Sequence, residues 1–133
     1  MIIELNEEIF DTLNSLILSK KYFINEKKYN PYARFLAIVY KNEIIGYLYY
    51  SIIYDRAEIN QFEIKKEYRK QGLGTKLLTK MLESENIDIT LEVNENNNDA
   101  ISLYKKFGFK QVGLRKSYYD GEDGLLMQRK IIE

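Results

Sequence analysis

The chain has 133 residues, 45% apolar and 30% charged, and this length and composition predict one globular domain spanning residues 1–133. Twenty basic residues balance twenty acidic ones, so the overall charge does not favour nucleic acid as a partner. The chain has neither cysteine nor histidine, which excludes disulfides, thiol nucleophiles and imidazole catalysis and leads us to expect no metal site. Acid–base catalysis must then use carboxylate, phenol, amine or water.

The hydropathy pattern gives no sign of a membrane segment or a leader. The longest apolar stretch, residues 44–54, is too short and too interrupted to cross a bilayer. The N-terminus lacks a positively charged region ahead of an apolar segment, so it does not look like a signal peptide. We therefore expect a cytoplasmic protein without a membrane partner.

The first quarter of the chain predicts a strand and a helix, followed by a segment with no clear period. Residues 1–5 form a short predicted strand, and Asn6 can cap a helix after it. Residues 20–33 are polar and aromatic and are compatible with a loop or an irregular helix. Apolar side chains recur at helical spacing in the predicted helix at Ile9, Phe10, Leu13, Leu16 and Ile17.

The middle of the chain is extended. Residues 35–40 and 44–54 are rich in β-branched and aromatic side chains and predict a hairpin. In the next strand, residues 57–65, Ala57 and Ile59 alternate in one phase whereas Phe62 falls in the other. A one-residue slip of this kind indicates a β-bulge, unless the strand boundary is misplaced. Bulges are common near active sites, so this strand is a candidate for the functional edge.

The second half alternates helices and strands. A strand is predicted at residues 87–93, a helix at residues 98–107 ahead of Gly108, and two final strands at residues 109–116 and 125–132. The result is a mixed sheet flanked by helices. Another helix, ahead of residue 87, is marked by apolar spacing at Leu73, Leu77, Leu78, Met81 and Leu82.

A glycine-containing loop lies between a predicted strand and a predicted helix, at residues 68–78. Gly72 and Gly74 let the backbone approach a ligand, while the free amides and positive end of the helix favour an anion such as pyrophosphate. The dinucleotide fingerprint would need a third glycine at Leu77, and the P-loop would need one at Arg69. Purely structural glycines are the remaining alternative.

Residues 69–74 instead fit the Arg/Gln-x-x-Gly-x-Gly/Ala pattern of the GNAT superfamily of N-acetyltransferases. Residues 91–109 and a later group containing Arg115, residues 118–119 and Met127 strengthen the match. Together they resemble the bacterial RimI-type enzymes, which acetylate the N-terminal alanine of a ribosomal protein. The resemblance implies an α/β (α+β) fold with a GNAT-like central mixed, mostly antiparallel β-sheet flanked by helices, and acetyl-CoA as cosubstrate.

The resemblance also implies which residues bind the coenzyme. The backbone of Phe62, Glu63 and Ile64 would line the acetyl and pantetheine arm, and Asn97 would contact the coenzyme further along. Asn97 is also a good helix N-cap, and the two roles are compatible. The amides of the loop would hold the pyrophosphate, and they belong to Lys70, Gln71, Gly72, Leu73, Gly74 and Thr75.

By the same resemblance, Glu92 stands at the general-base position and Tyr104 at the general-acid position. Attack on a thioester needs a neutral amine and a protonated leaving thiol, so one base and one acid suffice. The structural alternatives are a solvated carboxylate for Glu92 and a core tyrosine for Tyr104. Arg115 and residues 118–119 either shape an acceptor groove or pack along a terminal strand.

The function implied is N-acetyl transfer to a protein N-terminus, with a ribosomal protein as the partner. One alternative is acetylation of a small amine such as a polyamine, amino sugar or amino acid. Another is a non-catalytic domain that senses acetyl-CoA, although the presence of both Glu92 and Tyr104 argues against it. The sequence does not indicate an oligomeric state.

Overall fold

The computed structural model describes residues 1–131, apart from the side chains of Tyr118 and Tyr119. A 3₁₀ turn at Lys66–Tyr68 precedes the third helix. No helix in the described range is long and apolar enough to span a membrane. The elements in chain order are β1 Ile2–Glu4, α1 Glu7–Phe10, β2 Asn14–Ser15, α2 Lys20–Tyr29, β3 Ala33–Tyr40, β4 Glu43–Ile53, β5 Arg56–Ile64, α3 Leu73–Ser84, β6 Asp88–Asn94, α4 Asn98–Lys106, β7 Lys110–Tyr119 and β8 Glu122–Arg129.

The strands of the described residues form one sheet in the order β1–β3–β4–β5–β6–β8–β7, with β2 beside the start of β4. Neighbouring strands run antiparallel except in the pairs β5–β6 and β2–β4, which are parallel. This confirms the predicted mixed, mostly antiparallel sheet. A hairpin joins β3 to β4 as predicted, through Lys41 and Asn42 at φ values of 51° and 62°, the left-handed pair typical of two-residue hairpin turns.

The predicted bulge lies in β5. Tyr49 of β4 is opposite Gln61 while Tyr50 is opposite Ile59, so Asn60 is the extra residue. Its side chain is held in place, since Asn60 Oδ1 accepts a 2.6 Å hydrogen bond from Ser51 Oγ. Ser51 is itself buried and accepts a 2.7 Å hydrogen bond from Asn30 at the end of α2. The bulge is therefore tied by side-chain hydrogen bonds to the helix on one face of the sheet.

Each face of the sheet has its own core. On one face α3 and α4 cover strands β3 to β8 with a mostly aliphatic cluster that includes Leu77, Leu78 and Met81. On the other face α1 and α2 cover β3 and β4 with aromatic rings. Phe35 is central there, because its ring centroid lies 4.2 Å from that of Tyr49 and 4.9 Å from that of Phe23.

The N-terminal quarter differs from the sequence prediction. The helix capped by Asn6 ends at Phe10 and does not continue to Ile17, because Asn14 N donates to Asn42 O at 2.8 Å and draws the chain into β2. Leu16, predicted as part of a buried helix face, is 80% exposed. Residues 20–33, left open between loop and irregular helix, contain the regular helix α2, capped by a Ser19 Oγ that accepts from Tyr22 N at 3.1 Å.

Candidate active site

An opening in the sheet separates β5 from β6 directly beyond the bulge. The two strands pair over only a short stretch that ends at Ile59 and Leu91. Within the described residues they run on to Ile64 and Asn94 without pairing to each other. Backbone N–H and C=O groups on these facing edges are strong hydrogen-bonding groups and can serve an extended ligand.

A cleft of about 940 Å³ lies at this opening, between the end of β5, the start of α3 and the start of α4. All the predicted coenzyme positions line it except Gln71, which lines a separate groove beside Tyr40 and Tyr68. The residues that line the cleft are Phe62, Glu63, Ile64, Lys66, Tyr68, Arg69, Lys70, Gly72, Leu73, Gly74, Thr75, Asn97, Asp99, Ala100, Leu103 and Tyr104.

The loop before α3 presents its amides to this cleft. The first α-helical bond runs from Lys76 N to Gly72 O at 3.1 Å, so the amides of the preceding turn have no carbonyl behind them in the helix. Lys70 and Gly72 adopt left-handed conformations, with φ of 61° and 80°. Arg69 fastens the loop to the end of β5, because its Nε donates to Ile64 O at 2.8 Å. An anion at the cleft would meet free N–H groups and the positive end of a helix.

Some cleft residues were not among the predicted site residues. Lys66 and Arg69 place cationic side chains beside Lys70, and Asp99 opposes them at the start of α4. Lys65, the neighbour of Lys66, is engaged elsewhere, since its Nζ lies 3.3 Å from Glu67 Oε2. On α4, Ala100 and Leu103 lie on the same helical face as the predicted Tyr104. This helical spacing is the signal that points to them, and the glycine pattern of the loop does not.

Tyr104 reaches the cleft from inside the core. It is only 6% exposed, and its ring lies 6.2 Å from the Phe62 ring and 5.4 Å from the Phe109 ring, measured between centroids. Phe62 belongs to the unpaired end of β5, so the phenol stands beside the strand edge that the sequence predicts for the acetyl arm. Gly74 also lies at this corner, where a Cβ would make ordinary contacts with Leu103 at 3.5 Å and Phe62 at 3.6 Å.

Glu92 lies on the opposite face of the sheet. In β6 the buried Leu91 and Val93 point to the α3–α4 core, whereas Glu92 alternates to the other side. Its Oε1 lies 3.3 Å from Arg115 Nε, and its side chain is 19% exposed. The structure thus brings Tyr104 together with the coenzyme positions, and Glu92 together with Arg115. Tyr118 and Tyr119, the other predicted groove residues, have side chains outside the described part of the chain.

Two more phenols lie on the face that carries Glu92. Tyr47 is opposite Glu63 in the β4–β5 register, and burial together with the charge of Glu63 raises the pKa of Tyr47 to about 12. Burial and the charge of Glu26 raise the pKa of Tyr22 to about 12. Both side chains therefore stay neutral hydrogen-bonding groups at physiological pH.

Within residues 1–131, no group of three or more carboxylates is arranged to hold a metal ion. The available chemistry at the opening is a cationic, amide-rich cleft on one face and a carboxylate–guanidinium pair on the other. Such an arrangement suits an anionic ligand that reaches through the sheet towards a second reactant. The comparison with known proteins agrees with this description.

Residues 2–109 match the model of the Acetyltransferase (GNAT) family. The chain belongs to this family. It is therefore a GNAT-type acetyltransferase, and the family uses acetyl-CoA. The loop at residues 69–74, identified in the sequence as the family's pattern, lies inside the matched range.

Relatives and solved structures support this membership. A Bacillus subtilis (strain 168) protein with the provisional name ribosomal protein bS18-alanine N-acetyltransferase is 40% identical over 115 residues, covering 82% of this GNAT chain and 76% of the relative. An N-alpha-acetyltransferase of Saccharolobus solfataricus is 35% identical over 141 residues, covering 90% of this chain and 84% of the relative. The ribosomal-protein-S18-alanine N-acetyltransferase from Escherichia coli shares the fold at a TM-score of 0.81 and 24% identity, covering 100% of this chain and 94% of its own.

Proposed function

We propose that this enzyme transfers an acetyl group from acetyl-CoA to the α-amine of a protein N-terminus, and that its acceptor is of the ribosomal-protein alanine type. The observation that carries the proposal is the opening between β5 and β6, which lies beside the amide-rich cleft and has Glu92 of β6 on the opposite face of the sheet. The similarity to the Bacillus subtilis protein supports the acceptor class.

The residues of the cleft fit acetyl-CoA. The loop amides, Lys66 and Lys70 suit a pyrophosphate, and the apolar walls formed by Phe62 and Leu103 suit an extended pantetheine arm beside the free edge of β5. A GNAT acetyltransferase from Elizabethkingia anophelis, solved with acetyl-CoA bound, shares the fold at a TM-score of 0.76. Acetyl-CoA, when bound, supplies a thioester carbonyl that a neutral amine can attack and a thiol that leaves.

The chain's own residues then move two protons. Glu92 takes a proton from the acceptor ammonium and thereby generates the neutral amine. Tyr104 donates its phenolic proton at the departing sulfur, and its burial against Phe62 and Phe109 keeps water away from that position. The presence of both groups, one on each face of the sheet beside the opening, favours an active enzyme over a domain that only senses acetyl-CoA.

An α-amine is the easier acceptor for a carboxylate base. Its pKa of about 7.7–8.0 lies well below the value of about 10.4 for a lysine side chain, so at neutral pH it is far more often neutral. An extended peptide can also use backbone hydrogen bonds along the open edges of β5 and β6, which a compact amine cannot. From this acceptor class we infer a bacterial, cytoplasmic enzyme.

The test compares acceptors with purified protein and acetyl-CoA by following free thiol release. The three acceptors are an alanine-led hexapeptide, its N-terminally blocked counterpart containing lysine, and spermidine. We expect the highest kcat/KM for the free alanine peptide. A higher value for spermidine or for the blocked peptide would contradict the N-terminal acceptor and favour a small amine or a lysine side chain. Thiol release with none of the three would contradict this acceptor class altogether.

A further inference from the structure

The ion pair between Glu92 and Arg115 is formed across an intervening strand. Glu92 on β6 is opposite Leu126 of β8, and Arg115 on β7 is opposite Gly124 of β8. Since the two charged groups approach to 3.3 Å, the Glu92 side chain extends over β8 towards β7. The opening lies on the other side of β6, towards β5. The carboxylate is therefore directed away from the opening.

Gly124 leaves the space in which this carboxylate lies. A Cβ at position 124 would lie 3.2 Å from Cγ, Cδ and Oε2 of Glu92, and these are its nearest neighbours. That distance is shorter than ordinary carbon contacts, so the carboxylate would have to move. The φ of Gly124 is outside the left-handed region, so alanine at this position strains no backbone. An added Cβ would therefore act on the Glu92 carboxylate alone, by displacing it a few tenths of an ångström.

Charge and burial keep the pair together. Glu92 retains only 19% of its side-chain exposure, whereas Arg115 retains 55%. A carboxylate that has lost most of its water is costly unless a partner compensates it. Arg115 supplies this compensation from the solvent side, which stabilises the carboxylate over β8.

This position sets the distance to an acceptor in the opening. Neighbouring strands lie about 4.8 Å apart, so a group over β8 is more than one strand spacing from an amine between β5 and β6. Direct proton transfer requires a separation of about 2.6–3.2 Å, or else one intervening water. A Glu92 that stays paired with Arg115 is therefore too far from the amine for direct transfer and needs bridging water.

We propose that Arg115 is a positioning residue which, with the space left by Gly124, fixes the place over β8 of the Glu92 carboxylate that accepts the acceptor's proton. The inference rests on the proposed function, because it takes Glu92 as the base. The acceptor ammonium gives one proton to the water as the water gives one of its own to Glu92. The products are a neutral amine, a water and a neutral carboxyl group, while Arg115 keeps its charge.

The first test places Arg115→Met in the wild-type and Glu92→Gln backgrounds. In the wild type we expect kcat to fall by at least about tenfold, part of the hundred- to ten-thousand-fold contribution of proton transfer. Arg115→Lys should restore most of this loss, and KM for acetyl-CoA should not change. In the Glu92→Gln background Arg115→Met should cost nothing further, because a residue that acts through Glu92 is not additive with it. An equal loss in both backgrounds would overturn the inference.

The second test is Gly124→Ala, with Gly113→Ala as its matched control. A Cβ at Gly113 would contact Leu126 at 3.0 Å, and none of its three nearest neighbours is a Glu92 atom. We expect Gly124→Ala to lower kcat and a crystal structure to show the Glu92 carboxylate moved off Arg115, while acetyl-CoA affinity measured by calorimetry stays the same. Wild-type kcat with a displaced carboxylate, or an equal kcat loss in Gly113→Ala, would count against the proposal.

The Glu92→Gln variant alone distinguishes a failure of the proposed function from a failure of the positioning inference. If it keeps wild-type kcat, Glu92 is not the base, and both the proposed mechanism and this inference fail. If it loses turnover while folded Arg115→Met and Gly124→Ala proteins keep theirs, only the positioning inference is overturned. Gly124→Ala keeps the test decisive should Arg115→Met fail to fold.

Discussion

The strand β5 has two neighbours and is used differently along each. Against β4 it is paired from end to end, from Arg56 opposite Ile53 to Ile64 opposite Gly46. Against β6 the pairing stops at Ile59, and the rest of the edge faces the opening. The β4–β5 pair, the closed joint, is stabilised by backbone hydrogen bonds and by packed side chains on both faces. The β5–β6 pair, the open joint, lacks such bonds beyond Ile59, where a ligand can replace them. One edge of β5 therefore serves stability and the other serves ligand binding.

The largest expected effect is a loss of turnover at the open joint, in the variants Glu92→Gln and Tyr104→Phe. Each should lower kcat by about a hundred- to ten-thousand-fold, the usual contribution of general acid–base catalysis, while acetyl-CoA affinity and thermal unfolding change little. Steady-state kinetics from pH 6 to 9, with calorimetry as the control, measure both effects. Turnover within about threefold of wild type in both variants would remove these residues from the proton transfers.

Next to the closed joint, in the aromatic core over β3 and β4, the largest expected effect is on stability. Phe35 is fully buried between Phe23 and Tyr49, so Phe35→Ala should lower the free energy of unfolding by about 3–5 kcal/mol. The folded fraction should bind acetyl-CoA normally. Denaturant unfolding measures the loss, and Leu16→Ala, at an exposed position, is the control. A weakened coenzyme affinity in folded Phe35→Ala would break the separation between the two joints.

The loop beside the opening should show the next largest effect, in Gly72→Val. Forcing a side chain into its left-handed conformation costs about 1–2 kcal/mol, and the same cost applies to the control Gly108→Val, whose glycine has φ of 90° and lies away from the cleft. Only Gly72→Val should also weaken acetyl-CoA binding, by about tenfold or more, which corresponds to about 1.4 kcal/mol. Equal affinities for the two folded variants, measured by calorimetry, would exclude the loop from phosphate binding.

The smallest effect concerns Asp88, at the closed end of the β5–β6 pair. Ile131 N donates to its Oδ1 at 2.8 Å, and this bond, together with Lys130, holds the pKa of Asp88 below its usual value. The stabilisation is therefore complete above the unfolded pKa of about 3.9 and is lost as the pH falls through the lower folded value.

Asp88→Asn should accordingly lower Tm slightly at pH 7, since the amide oxygen can still accept from Ile131 N. The difference from wild type should shrink as the pH falls through the lowered pKa of folded Asp88, and should disappear below it, where both side chains are neutral. Thermal scans at several pH values measure this convergence. A Tm difference that grows towards acid pH would contradict the lowered pKa of folded Asp88.

The sequence predicted the features that depend on neighbouring residues. The hairpin at Asn42 follows from local turn chemistry, and the bulge follows from the change of phase between Ile59 and Phe62. The helix expected to reach Leu16 was wrong because a distant partner, β4, draws Asn14 into a strand. No local period carries that information.

The same reason explains what was missed at the site. The sequence named Glu92 and Arg115 separately, but their contact depends on the register of three strands. Gly124 lies just outside the predicted strand at residues 125–132, whereas the structure places it within β8, against the Glu92 side chain. The catalytic and coenzyme-binding roles assigned to single residues stay predictions until the variants above are measured.

The bulge at Asn60 has a consequence for changes of chain length. Deleting Asn60 would remove the bulge but leave Ile59 opposite Tyr50 and Gln61 opposite Tyr49, so Phe62 would stay on the side of the coenzyme cleft. Inserting one residue after Phe62 would instead place Glu63 opposite Gly46, where Ile64 now lies, and turn its carboxylate towards the α3–α4 core. Insertions should therefore be tolerated at the exposed hairpin turn of Asp120 and Gly121 and rejected between Phe62 and Ile64. In an alignment of related sequences, this segment should therefore have the same length throughout.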